Sequence, residues 1–409
     1  SASDWRLAEI GMKAKPDKPA GLYVHIPFCL RKCRYCDFYS ITDLSQTSGF
    51  LAALKREMQM NSGIPLVFDT LYIGGGTPSV LAPEVIGQII ETASRYFSIA
   101  SDAEITLEVN PGTVTLDNLC EYRKFGVNRL NIGVQSFDDN NLRFLGRLHS
   151  GSDARLSVER ARRAGFDNIG LDLIFGLPGQ DKTNWQGDLT AAVDIEPEHL
   201  SCYMLTCEPG TPLGRDVKTG RIRLAAEGVV LDLFNTTTHF LTDRSFLHYE
   251  VSNFARMARP SHEPRASRHN LKYWSFAPYI GMGPSAHSFI EPERYWNHRS
   301  VATYVRQIEA GSSAMAEKER LTQEQMMIEA IYLGFRTTRG IDLDKFKAKF
   351  DLGFTQTFFK IIAELETRGM LKMNEGHCAL TGKGLLFVDS IASMFICQDL
   401  AECRPKAKG

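Results

Sequence analysis

Short apolar runs recur along the first half of the chain at Leu22–Ile26, Leu71–Ile73, Ile105–Val109, Leu130–Val134, Ile169–Phe175 and Leu200–Leu205. Each is short enough for a strand, and the stretches between them repeat apolar residues every three to four positions, as in Phe50–Met60, Pro83–Tyr96 and Ser152–Ala164. Strands alternating with helices predict right-handed βαβ units and a parallel sheet, and six such units predict an incomplete barrel, an α/β fold. Residues 1–20 read as a polar tail, and Pro260–Arg268 as a mobile loop. From Leu321 the pattern changes. Helical periodicity at Thr322–Phe335, Leu343–Phe350 and Phe354–Arg368 leads into a hairpin over Leu371–Leu380 around Glu375-Gly376, then a helix near Leu385–Phe395. That order predicts a small, winged-helix-like module. Its lysines are interleaved with acids, so no basic face for nucleic acid stands out.

Composition narrows the setting. The 409 residues suffice for two or three domains, and 43% hydrophobic with 23% charged residues is ordinary for a globular protein. A net charge of −1 excludes a general attraction to nucleic acid or acidic lipid. No apolar run is long enough to span a membrane, and no secretory leader is visible. The nine cysteines form no regular framework, which fits a reducing cytoplasmic setting, compatible with peripheral docking at the inner face of a membrane.

Chemistry concentrates where the strands end. After the first strand comes Cys29-x3-Cys33-x2-Cys36, three thiols able to hold one small cluster, with Phe38 where a further ligand would be sought. A cluster held by three thiolates keeps one metal position open, the condition for a catalytic rather than a structural site. Zinc is the competing reading, but no second cysteine pair or histidine pair follows. Strand two ends in Gly74-Gly75-Gly76-Thr77-Pro78, whose glycines allow close backbone approach and whose N–H groups are expected to hold a ligand. Strand three ends at Glu108 and strand four at Gln135; Arg147 follows, and Asp172 interrupts the apolar fifth strand. A carboxylate there needs an ion pair, such as an arginine, or a ligand. Cys120, Cys202, Cys207, Cys378, Cys397 and Cys403 show no ligand spacing.

These motifs, with Tyr23-x-His25-Ile26-Pro27-Phe28, Glu108-x-Asn110-Pro111, Gly133-Val134-Gln135-Ser136-Phe137 and Asp172-x-Ile174-x-Gly176-Leu177-Pro178, resemble the radical S-adenosylmethionine (SAM) superfamily. Within it they resemble the branch holding oxygen-independent coproporphyrinogen III dehydrogenase (HemN) and the haem chaperone HemW. The resemblance implies a [4Fe-4S] cluster on Cys29, Cys33 and Cys36. It implies SAM contacts from Tyr23, Tyr35, Gly75, Gly76, Thr77, Glu108, Gln135, Arg147, Asp172 and Thr206. It also implies transfer of one electron to the sulfonium, giving a 5′-deoxyadenosyl radical. The dehydrogenase carries a fourth cysteine where this chain has Phe38, and His269-Asn270-Leu271-Lys272-Tyr273-Trp274 is similar to the HNxxYW motif of the chaperones. By that likeness His269 is the expected haem ligand, with client haemoproteins such as respiratory enzymes and an electron donor as partners. The alternative function is oxidative decarboxylation of coproporphyrinogen III. His287, in the next glycine-rich turn, is expected to be structural. The expected domains are a tail (1–20), the core barrel (21–215), an extension carrying HNxxYW (216–316), a HemN-type C-terminal domain (317–395) and a second tail (396–409).

Overall fold

The computed structural model describes residues 18–258 and 263–396. Most of the expected N-terminal tail, residues 259–262 within the Pro260–Arg268 stretch, Cys397, Cys403 and the last thirteen residues lie outside the described residues.

Six parallel strands form the centre: β1 (Ala20–Ile26), β2 (Val67–Gly75), β3 (Ser98–Val109), β4 (Arg129–Gln135), β5 (Ile169–Phe175) and β6 (His199–Met204). The crossovers are α1 (Thr47–Met60), α2 (Pro83–Tyr96), α3 (Leu116–Lys124), α4 (Asp139–Leu145), α5 (Gly151–Arg163) and α6 (Lys182–Asp194). Their starts are written locally. Pro83 opens α2, while Thr115 with Asn118, Ser150 with Asp153, and Asp181 with Asn184 form reciprocal capping boxes on α3, α5 and α6.

After α7 (Pro212–Lys218) and α8 (Glu227–Thr242) the sheet grows at both edges. Beyond β6 lie β8 (Asn253–Arg256) and β7 (Phe246–Glu250). Beyond β1 lie β9 (Tyr279–Met282), parallel to it, then β10 (His287–Ile290), β11 (Glu293–Asn297) and β12 (Met315–Arg320), giving twelve strands. Between the two additions sits a short helix, α9 (Arg268–Trp274), and after β11 comes α10 (Val301–Glu309). One buried carboxylate ties the β9 side to α1. Glu57 accepts from the Gly283 backbone (2.8 Å), Asn297 (2.6 Å) and the Tyr304 hydroxyl (2.7 Å).

The central strands alternate strictly. Leu22, Val24 and Ile26, Leu71 and Ile73, Leu107 and Val109, Leu130, Ile132 and Val134, and Leu171, Leu173 and Phe175 are buried in one apolar core. Each such side chain contributes on the order of 1.5–3 kcal/mol by leaving water. The other face reads Tyr23-x-His25, Thr70-x-Tyr72, Glu104-x-Thr106-x-Glu108, Arg129-x-Asn131, Asp172 and His199-x-Ser201. Fully parallel sheets usually present two apolar faces. Here the inner face is polar, because it is a site.

The C-terminal region begins with α11 (Gln323–Arg336), capped by Thr322 and Gln325, and carries a three-stranded sheet ordered β13-β15-β14, from Ile341–Asp342, His377–Leu380 and Leu371–Asn374. One expected helix is broken. Phe354–Arg368 divides into Phe354–Thr357 and Phe359–Thr367 because Phe358 leaves helical geometry to pack, fully buried, against Phe354 and Phe395.

Candidate functional site

The cysteine loop leaves the carboxyl end of β1 and is stapled at several points. The Cys29 N–H donates to Ile41 (3.0 Å), Ile41 to Pro27 (2.7 Å), and Leu213 to the Arg34 carbonyl (2.9 Å). Arg34 pairs with Asp216 at 2.6 Å. The Thr77 hydroxyl reaches Cys29 Sγ at 3.5 Å, and Arg147 Nη1 reaches Cys33 Sγ at 3.5 Å. Burial pushes the Cys36 thiol up to about 11, so a nearby positive centre is required to hold it as a thiolate. Among the described residues no three His, Cys, Asp or Glu side chains gather around a single-ion position. The donor set suits instead a cluster with one thiolate per iron. Phe38 is 71% exposed, an apolar ring standing in solvent beside the loop.

In the glycine turn the Gly75 N–H donates to Glu108 (3.0 Å), Gly76 to the Ile26 carbonyl (2.8 Å) and Thr77 to the Phe28 carbonyl (2.7 Å). These three N–H groups are engaged by the protein itself. Glycine is required for approach: a Cβ on Gly76 would stand 2.6 Å from the Phe28 oxygen, and one on Gly75, at φ +111°, 2.6 Å from His25. The turn therefore clamps the base of the cysteine loop.

Inside the mouth, Glu108 accepts from the Tyr72 hydroxyl (2.7 Å) as well as from Gly75. Burial raises its carboxyl to about 7, against those two hydrogen bonds, with Asp172 adding to the rise. Tyr23 lies beside Glu108, and burial holds its phenol well above the usual range. His25 Nε2 donates to the Tyr39 carbonyl (2.9 Å); burial lowers the ring to about 4, so its neutral Nδ1 accepts from the Tyr23 hydroxyl (3.0 Å).

Asp172 is not in an ion pair. Asn131 donates to it at 2.7 Å, the Ser201 hydroxyl stands beside it, Oδ1 has no well-aligned partner, and burial raises the carboxyl against these two donors. The arginines are near enough only to moderate that rise, and no direct contact forms among the described residues. Arg147 donates to the Gly133 carbonyl (2.6 Å) and stands by Cys33 and Tyr35, with Nε unpartnered. Gln135 adopts φ +69° where β4 slips register against β5, which turns its amide to the Gly133–Arg147 corner. Thr206 is exposed beyond β6.

His269 closes the other end of the same inner face, its ring centre 5.1 Å from that of Tyr72 and 6.3 Å from that of Tyr23. It belongs to α9, at the amino ends of the strands, opposite the cysteine loop. It is 2% exposed, with Nδ1 on the Thr70 hydroxyl (2.8 Å) and Nε2 on the Tyr273 hydroxyl (3.0 Å). Burial, then Lys272 and Arg129, lowers its pKa to about 3. With both nitrogens bonded, the ring in this conformation offers no lone pair to an iron. Lys272 pairs with Asp69 (2.5 Å), Arg268 joins it (3.3 Å), and Trp274 receives Arg336 of α11 over its ring at 5.4 Å. His287 is exposed and stacks on Trp296.

The structure thus gathers Tyr23, Gly75, Gly76, Thr77, Glu108, Gln135, Arg147, Asp172, Tyr35 and the three cysteines on one inner face, leaves Thr206 outside it, and places His269 at its floor, against Tyr72. Tyr72, His25 and Asn131 belong to this set without having been singled out. For Tyr72 and Asn131 the signal is the alternation of polar residues along each strand; His25 stands in the Tyr23-x-His25-Ile26-Pro27-Phe28 motif without having been given a role.

Known proteins fit this picture. Residues 23–189 match the Radical SAM superfamily model and residues 321–387 the HemN C-terminal domain. The chain is 33% identical to the haem chaperone HemW of Bacillus subtilis over 91% of this chain and 98% of that protein. It is 37% identical to HemW of Escherichia coli over 66% and 70%. It is 31% identical to the mitochondrial radical S-adenosyl methionine domain-containing protein 1 of Danio rerio, over 91% and 86%. The solved structure of coproporphyrinogen III oxidase (HemN) from Escherichia coli superposes with a TM-score of 0.79 at 26% identity, covering 93% and 90% of the chains.

Proposed function

The chain belongs to the radical SAM superfamily and, within it, to the HemW family, and from that premise we propose that it is a haem chaperone passing haem to haemoproteins such as respiratory enzymes. The observation that carries this reading is the pairing of a three-cysteine loop, with exposed Phe38 in place of a fourth thiol, with relatives named as haem chaperones over nearly the whole chain.

Cys29, Cys33 and Cys36 would hold a [4Fe-4S] cluster, and when bound it supplies one electron to the sulfonium of SAM. The chain's own groups do the rest. Arg147 places a fixed cation beside Cys33 and favours its thiolate. Glu108, held by Tyr72 and Gly75 and raised to about 7, would face the cofactor and hold or release a proton at its own carboxyl. Asp172, with one oxygen unpartnered, accepts a further donor, and Tyr23, Tyr35, Gly76, Thr77 and Gln135 shape the walls. Thr206 would join only if the loop beyond β6 folds inward. No described helix is long and apolar enough to cross a membrane. In this reading the chain works on respiratory enzymes from the cytoplasm, by peripheral contact, with a separate electron donor and no nucleic acid partner.

A second reading has its own support in the likeness to coproporphyrinogen III oxidase. Titrating anaerobically reconstituted protein with haem tests the first, and saturable binding is expected. Absence of binding, with protoporphyrinogen IX formed from coproporphyrinogen III under reductant and SAM, would replace it with the second.

A further inference from the structure

A cavity of about 370 Å³ lies between α9, β9, β10 and α11, remote from the cysteine loop. Its walls are aromatic: Tyr273, Phe276, Tyr279, Phe289 and Tyr332. The rings meet edge to face, Tyr273 with Tyr279 at 4.8 Å and Phe276 with Phe289 at 4.6 Å between centroids. That size and lining are those of a small-molecule site.

Cations gather at one edge. Lys349 Nζ sits 4.4 Å from the centre of the Phe276 ring, and Lys18 Nζ donates to the Ser275 carbonyl at 2.8 Å, one residue from the same wall. Burial lowers the Lys18 pKa, and the positive field of Lys345, Lys349 and Lys272 lowers it further, with Glu291 the opposing charge. Lys349, Lys345 and Lys272 have carboxylate partners, whereas Lys18 has none among the described residues. Aromatic walls beside a lysine cluster suit a flat apolar body bearing carboxylates along one edge.

The wall contains no histidine, cysteine or methionine, but it has three phenols. Tyr273 is bonded to His269 and Tyr332 to Asp389. Tyr279 has no hydrogen-bond partner among the described residues, and its hydroxyl oxygen is not among the buried polar atoms. Burial pushes this phenol up; Arg294 lowers it and Glu329 raises it again, and these two, paired with each other, also line the cleft.

We propose, resting on the haem reading above, that haem is seated in this cleft, its carboxylates toward Lys18 and Lys349 and its ferric iron bound by the Tyr279 oxygen rather than by His269. The exchange is redox-neutral. Ferric haem arrives carrying hydroxide, the phenol proton joins that hydroxide and leaves as water, and the iron–oxygen bond forms.

Full-length protein titrated with ferric haem decides it, with wild type compared with Leu333→Trp, which fills the cleft, Tyr279→Phe and His269→Ala. Cluster iron is measured throughout as the control for folding. Expected are a high-spin phenolate spectrum in wild type and in His269→Ala, its loss in Tyr279→Phe, and at least tenfold weaker binding in Leu333→Trp at unchanged cluster content. Haem bound as tightly by Leu333→Trp, or an imidazole-type spectrum abolished only by His269→Ala, overturns the cleft assignment. Wild type that binds no haem at all overturns the chaperone reading beneath it.

Discussion

The barrel's two ends use polar side chains in opposite ways. At the mouth, the second oxygen of Asp172 and Nε of Arg147 lack protein partners, the three cysteines are free of disulfides, and burial raises the Glu108 carboxyl to about 7. At the seat of α9, His269, Thr70 and Tyr273 satisfy one another and Lys272 and Arg268 share Asp69, while Trp274 Nε1 stays unpartnered. Unsatisfied buried groups are costly in a folded protein unless a ligand completes them. Mutually satisfied groups hold a conformation. The mouth is therefore built to receive something, while the HNxxYW helix is built to hold the barrel floor, the aromatic cleft and α11 in register.

The largest effect that would sharpen this contrast is at the mouth. Cys33→Ala should abolish cluster iron and the associated visible absorbance while leaving haem binding in the cleft intact. Retained iron would show that Cys33 is no ligand. Loss of haem binding together with iron would show that the two ends are coupled.

Next comes the floor. His269→Ala removes a buried ring and strands Thr70 and Tyr273, so a loss of about 3 kcal/mol in unfolding free energy is expected, with reconstituted cluster content unchanged. A stability within about 0.5 kcal/mol of wild type in denaturant unfolding would show the ring is not a keystone.

How much of this was legible follows from distance along the chain. The six strands, Phe50–Met60 and the capped helices rest on neighbours in sequence, and all could be read. So could the chemistry at the strand tips, since Cys29, Glu108 and Asp172 are residue types that apolar strands otherwise avoid. That the N–H groups of the glycine turn bond to Ile26, Phe28 and Glu108 could not be read, because these partners come from other strands and the cysteine loop. His269 looked like a free ligand because Thr70, 199 residues away, is invisible in the local pattern. Tyr72 and Asn131 passed as ordinary alternation, and the break at Phe358 carries no Gly or Pro to announce it.

A smaller effect concerns protons at the mouth. The Glu108 carboxyl is raised in the fold from 4.5 to about 7, so the folded state favours the protonated form. The stability this gives is complete below the unfolded value and is lost as pH rises through about 7. Each pH unit is worth at most 1.36 kcal/mol, and the open mouth reduces the expected total to about 2 kcal/mol. Glu108→Gln should flatten that part of the profile in chemical denaturation, leaving the opposite loss below about pH 6, where His25 must accept a proton against its lowered value of about 4. An unchanged slope between pH 5 and 7 in the variant would place the titration elsewhere, with Glu250, raised to about 7 by burial, the first group to examine.

The smallest effect is at Thr206. It lies two residues past the end of β6, exposed, while the residues grouped at the mouth stand on strand ends or on loops stapled to them. A hydroxyl in water that must be carried inward to reach a ligand gains about as much as it loses on ordering the loop. Thr206→Ala should therefore change SAM affinity, measured by equilibrium dialysis of the reconstituted protein, by less than about threefold. A tenfold loss would mean that the segment from Leu205 to Thr211 closes over the bound cofactor. The mouth would then have a moving wall, where the floor, with its paired side chains, has only fixed ones.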